Sequence, residues 1–227
     1  MEFMTPEIIA HRGASYLAPE NTLTAFRKAM EIGADGVEMD VQQTYDKKLV
    51  IHHDFIIDWH TDIRGQIYDM TEGELKALDF GSWKDVSFKD ERIATLHEAL
   101  TLCREMEGTI VQLEMKATID DDPDFVPRVI EEIRAADIAD RLVLISFNHD
   151  LLRQAKQLMP ELKVGVLVYG AVETMVLPTG IWEMLDLQNG LEEEGFPPLP
   201  ELSVENADDE NCSWMMRWMG NQVSMLR

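Results

Sequence analysis

The ionisable residues that could do chemistry in this 227-residue chain fall in four short groups, each at the end of an apolar run. They are His11-Arg12, Glu38 with Asp40, His52-His53-Asp54, and Glu114 with Lys116. Glu38 and Asp40 stand two apart in a segment that reads as extended, so both side chains project from one side of it. Two carboxylates so placed repel each other unless a cation is shared. With Glu114 they form an all-oxygen set, which favours Mg²⁺ or Ca²⁺ over softer metals. His11 and His53 are the candidate acid and base, because an imidazole near its ordinary pKa both takes and gives a proton at neutral pH. Arg12 offers a fork of donors and Lys116 a point charge, and both suit phosphoryl oxygens. Taken alone, the same two cations would serve to neutralise the carboxylates, and ion pairing would explain the pattern as well as a metal does. His52 is adjacent to His53, so it points to the other side and reads as outward or packed. His60, His97 and His149 lie in loop or helix-start contexts and read as structural.

The elements that must position these groups alternate along the chain. Ile8-Ile9-Ala10 reads as a buried strand ending at a tight turn, His11-Arg12-Gly13. Glu20-Asn21-Thr22 opens a helix in which Leu23, Phe26, Ala29 and Met30 share a face, and Gly33 stops it. Strands are expected at Gly36 to Val41 and Leu49 to His52. Residues 55–93 read as an excursion with a short helix at Thr71 to Leu78. Leu96, Ala99, Leu100 and Cys103 line one face of a helix that Thr95 caps. Strands at Thr109 to Met115, Leu142 to Phe147 and Val164 to Val168 then alternate with helices at Phe125 to Ala136 and His149 to Leu158. Six strands in a βα pattern fit a doubly wound sheet or a barrel. In a TIM barrel the active site is built at the C-terminal ends of the strands, where the four ionisable groups fall.

Bulk composition narrows the function. A hydrophobic content of 45% supports one globular domain, near the lower size limit of an α/β barrel. The net charge of −23 argues against a nucleic-acid partner, while a metal ion would still admit a phosphate substrate. Cys103 and Cys212 have no metal-type spacing, and nothing demands an oxidising compartment. No signal peptide and no run near the ~20 apolar residues of a membrane span are seen, so a cytoplasmic protein without stable membrane insertion is expected.

Several motifs together resemble the glycerophosphodiester phosphodiesterases. They include His11-Arg12-Gly13, Pro19-Glu20-Asn21-Thr22, Gly33-Ala34-Asp35-Gly36-Val37-Glu38-Met39-Asp40-Val41 and His53-Asp54. Asp79-Phe80-Gly81-Ser82-Trp83, Glu91-Arg92-Ile93, Leu113-Glu114-Met115-Lys116 and Ser146-Phe147-Asn148 extend the likeness, which runs from about residue 8 to 167. The resemblance implies a TIM (β/α)8-type barrel with an excursion after the third strand. It implies His11 and His53 as catalytic residues, Glu38, Asp40 and Glu114 as metal ligands for Mg²⁺ or Ca²⁺, and Arg12 and Lys116 as phosphate contacts. The implied reaction is hydrolysis of a small glycerophosphodiester to sn-glycerol 3-phosphate and an alcohol. Which histidine is the acid, and whether water or the substrate's own hydroxyl attacks first, stays open.

The chain departs from the family pattern in three places. Trp59-His60-Thr61 stands where Arg-Thr-Thr is usual and Ala94 where proline is usual, from which altered loop packing or substrate preference is expected. Beyond residue 167 the family's last two strand motifs are not evident, and acidic runs and the cluster Trp214-Met215-Met216-Arg217-Trp218-Met219 take their place. A barrel domain over residues 1–171 and an atypical tail over 172–227, from a shifted reading frame or divergence, is the expectation. Other readings remain: a non-catalytic remnant, a binding module for phosphorylated ligands, or a lysophospholipase D-like enzyme with an apolar patch near Trp214 to Met219.

Overall fold

The computed structural model describes residues 6–116 and 122–168. The expected tail and Cys212 therefore lie outside the described residues. So does the Trp214 to Met219 cluster on which the lipid reading depended.

Parallel strands β1 (Ile9–Ala10), β2 (Gly36–Gln43), β5 (Ile110–Met115), β6 (Leu142–Ser146) and β7 (Lys163–Val166) lie side by side in that order. They form the arc of a TIM-type barrel, and among the described residues the sheet does not close. Helices return the chain over the outside of this arc. α1 (Leu23–Glu31) buries Ala25, Phe26 and Ala29, and Thr22 caps it by accepting from the Ala25 amide. α3 (Leu96–Glu105) buries the predicted face of Leu96, Ala99, Leu100 and Cys103. Its cap is reciprocal: the Thr95 hydroxyl accepts from the Glu98 amide, and the Glu98 carboxylate accepts from the Thr95 amide, a motif that stabilises by about 1 kcal/mol. α4 (Phe125–Ala136) and α5 (His149–Leu158) repeat the pattern with Val129, Ile130 and Ile133, and with Leu151, Leu152 and Ala155. The Cys103 thiol is buried and its pKa is pushed up to about 12, so it is an inert part of the core.

One expected element runs the other way. β3 (Leu49–Ile51) is antiparallel to β2, with Val41 opposite Ile51 and Gln43 opposite Leu49. The five residues from Thr44 to Lys48 are too few for a helical crossover and can only form a hairpin. β4 (Ala94–Thr95), which the sequence pattern does not announce, pairs antiparallel with β3.

The excursion between β3 and β4 has a small core of its own. Ile57, Ile67, Leu75, Phe80 and Ile93 pack together with Val50. Within it, α2 (Glu72–Lys76) carries a capping box made by Thr71 and Glu74. The Thr24 hydroxyl donates to Glu91 at 2.7 Å and ties the excursion to α1.

Candidate active site

Strand register builds the acidic part of the site. Asp40 on β2 is the in-register neighbour of Glu114 on β5, and Glu38 lies two residues before Asp40 on the same face. Oxygens of Glu38, Asp40 and Glu114 all fall within 4.8 Å of one another. The three carboxylates are buried, at 5%, 1% and 8% exposure, which is costly for like charges. Burial first, and then the nearby Asp40 and Glu114, raise the Glu38 pKa well above its ordinary value, against the pull of a backbone hydrogen bond from Arg12. Burial and Asp40 raise that of Glu114, against Lys116.

Cations only partly offset this charge. Lys116 Nζ lies 3.0 Å from Glu114 Oε1 and 3.7 Å from Asp40 Oδ1. Arg12 Nη1 donates to Glu20 at 2.8 Å, and its Nε stands 3.7 Å from Asp40 Oδ2. Asp40 Oδ1 is buried and accepts no hydrogen bond. A buried acceptor left bare among three crowded carboxylates is the donor set of a hard divalent cation, and these residues fit one.

The turn after β1 completes the acidic wall. Gly13 has φ +76°, and a Cβ there would meet Ala25 backbone at 2.7 Å, so only glycine fits. Arg12, at φ +56°, aims its backbone amide at Glu38 Oε2, 2.9 Å away. His11 is solvent-facing, with its side chain 66% exposed and Nε2 at 3.8 Å from Glu38. Partial desolvation, followed by the Arg12 charge, lowers the His11 pKa.

The histidine wall comes from the hairpin. Because β3 folds back along β2, its end returns to the level of Asp40, and the His52 amide donates to the Asp40 carbonyl at 2.9 Å. The rim thus gathers the ionisable groups as the βα pattern foresaw, although one of the four strands arrives reversed. His53 Nδ1 sits 2.7 Å from Asp54 Oδ1. His52 packs inward, at 5% exposure, and burial lowers its pKa to about 4. A small cavity is lined by Glu20, Asn21, His52, His53, His60, Phe80 and Trp83. His60, which the sequence placed in loop packing, stands in that cavity. His97 pairs with Glu132 at 3.0 Å, and His149 Nε2 contacts the Leu167 carbonyl at 3.0 Å; neither lines that cavity.

Two positioning residues escaped the sequence reading. Gln42 is buried, and its amide nitrogen lies 2.6, 3.1 and 2.9 Å from the carbonyl oxygens of His52, His53 and Asp54. It continues the alternation Glu38, Asp40, Gln42, so the signal was present. Asn21 donates to Asp40 Oδ2 at 2.8 Å and accepts from the Asp40 amide at 3.3 Å. It does so from φ +57°, a conformation asparagine tolerates better than most residues. No spacing rule points to it.

Comparison with known proteins agrees with this geometry. Residues 11–184 match the model of the "Glycerophosphoryl diester phosphodiesterase family". A glycerophosphodiester phosphodiesterase of Caldanaerobacter subterraneus is 42% identical over 160 residues, which cover 70% of this chain and 65% of that protein. One from Bacillus altitudinis is 35% identical over 170 residues, covering 73% and 68%. The chain thus spans about two thirds of the length of these relatives. Among solved structures, an Oleispira antarctica phosphodiesterase in complex with the product sn-glycerol-3-phosphate superposes with a TM-score of 0.74 at 30% identity, covering 95% of this chain and 90% of that one. A carboxylate cluster on a TIM-type arc, a histidine-bearing excursion after the hairpin, and a family match over most of the chain converge on one assignment: the chain belongs to the glycerophosphoryl diester phosphodiesterase family.

Proposed function

We propose that this chain hydrolyses glycerophosphodiesters to sn-glycerol 3-phosphate and an alcohol. The observation that carries the reading is the buried trio of Glu38, Asp40 and Glu114 with its bare Asp40 oxygen, flanked by Arg12 and Lys116. Those three carboxylates would hold Mg²⁺ or Ca²⁺. When bound, such an ion supplies Lewis-acid stabilisation of charge on phosphoryl oxygens. Arg12 and Lys116 bind and orient the phosphoryl group from the cluster's flanks. His11, open to solvent beside Glu38, and His53, braced by Asp54, divide the proton transfers: one deprotonates the attacking oxygen, the other protonates the leaving alkoxide. Asp54 holds His53 in one orientation, and Gln42 holds the loop that carries both. The barrel part over residues 1–171 is proposed to house this chemistry, with 172–227 as a separate tail.

The test is release of sn-glycerol 3-phosphate from glycerophosphocholine, with Mg²⁺ or Ca²⁺ and with chelator. Metal-dependent release that disappears in His11→Ala is the expected result. A folded protein that releases no product from any glycerophosphodiester overturns the reading.

A further inference from the structure

His52 carries an unmet hydrogen-bonding need. Its Nδ1 lies 2.8 Å from the Asp54 carbonyl oxygen. A carbonyl only accepts, so Nδ1 holds the ring proton and Nε2 presents a bare lone pair. That Nε2 is buried and accepts no hydrogen bond. Phe80 closes one side of the ring with carbon, at 5.6 Å between centroids. The His60 ring stands nearly perpendicular on another side, 5.0 Å away at 85°. His60 Nδ1 is likewise buried and unpartnered, and Trp83 props its ring at 4.6 Å. Both imidazoles line the cavity they share with His53 and Asn21, and Asn21 in turn binds Asp40. Folded proteins rarely leave buried polar atoms on two neighbouring rings empty, and those that do tend to reserve them for a ligand or a water.

The geometry points to His52 and His60 as a specificity-determining pair that receives an O–H or N–H donor from the organic part of the diester. This inference rests on the reaction proposed above. A hydroxyl meets both needs at once: it donates to His52 Nε2 and accepts from His60 Nδ1–H. A primary ammonium donates to both rings, with His60 in its other tautomer. A trimethylammonium or a methyl group offers no such donor and leaves the His52 lone pair buried and empty. Sites built around a buried acceptor reject analogues that lack the matching donor for this reason. The donor has two possible sources, the glycerol hydroxyls and the departing alcohol.

Both sources are separated by comparing kcat/KM on the full chain in two arms. One arm sets glycerophosphoethanolamine against glycerophosphocholine. The other sets glycerophosphocholine against its analogue lacking the terminal glycerol hydroxyl. At least one arm is expected to favour the donor-bearing compound by roughly tenfold or more, the range of one unmet hydrogen bond. In His60→Phe, which keeps a ring against Trp83 at a half-buried position, that ratio is expected to collapse toward one. His52→Phe should do the same if it folds. Ratios near one in both arms of the parent, or a ratio that persists in His60→Phe, overturn the inference. If no diester is hydrolysed, the proposed reaction fails, and the pair is then judged by ¹⁵N-imidazole resonances of His52 and His60 titrated with the same three compounds. Shifts caused by donor-bearing ligands alone support it; unmoved resonances, as a resident water would give, overturn it.

Discussion

Glu38, Asp40 and Glu114 stand on β2 and β5, where a parallel ladder fixes each Cα and the side chains have little freedom to move apart. His52, His53 and Asp54 stand on a loop that leaves a hairpin, held by one glutamine amide and by the excursion's small core. The acidic wall is rigid in backbone and poorly satisfied in charge. The histidine wall is well satisfied in the backbone and depends on packing for its shape. A rigid, frustrated wall is suited to gripping an ion, and a packed, adjustable one to choosing what lies against it.

Mutations that break the two walls separately should behave differently. The largest effect is expected from Asp40→Asn, which removes a carboxylate shared by Arg12, Lys116 and Asn21. Activity should fall on the order of 10³-fold, with metal affinity falling alongside, as read by hydrolysis rates across a metal titration. His53→Gln strikes the other wall and should lower kcat roughly 10²-fold while leaving metal affinity in place. A matching loss of metal affinity there would mean the walls are not independent. Gln42→Leu should cost about 1–3 kcal/mol in stability, because buried carbonyls lose their donor, and about tenfold in activity. Denaturant melts and rates on the same samples check it. Ile67→Ala opens a hole in the excursion core and should destabilise by about 2–5 kcal/mol. At low temperature it should leave metal affinity unchanged.

The acidic wall also predicts a pH signature. In the folded, metal-free chain Glu38 and Glu114 keep protons that the unfolded chain has already released, since their folded pKa values are raised. Stability is then greatest at the acidic end and declines as pH rises from the ordinary carboxylate range through the raised values. Thermal midpoints between pH 5 and 8 in chelator should fall by several degrees, and Mg²⁺ or Ca²⁺ should remove the trend. A flat profile in chelator would mean the three carboxylates are not in conflict.

Much of the frame is legible in the sequence because it rests on local rules. Leu96, Ala99, Leu100 and Cys103 fall on one helical face, and Thr95 and Glu98 announce the cap that begins that helix. Glu38 and Asp40 share a strand face by simple alternation, and the same alternation carries Gln42, whose partners are carbonyls ten to twelve residues away. The apolar run at Leu49 announces β3 as a strand, and the five-residue turn before it decides that it runs antiparallel to β2.

What the sequence determined by itself was the family, the order of the elements, and which residue types face the rim. These follow from period, capping and motif, all of which act over a few residues. Tertiary structure alone decided that Asp40 lies in register with Glu114, that Asn21 reaches back to Asp40, and that His52 and His60 pack edge to face beside one cavity. Those pairings depend on strand register, a left-handed turn and the packing of an excursion with its own core. The first two join residues distant in the chain and the third joins two residues of one excursion, and in all three burial and excluded volume, and not local propensity, select the partner.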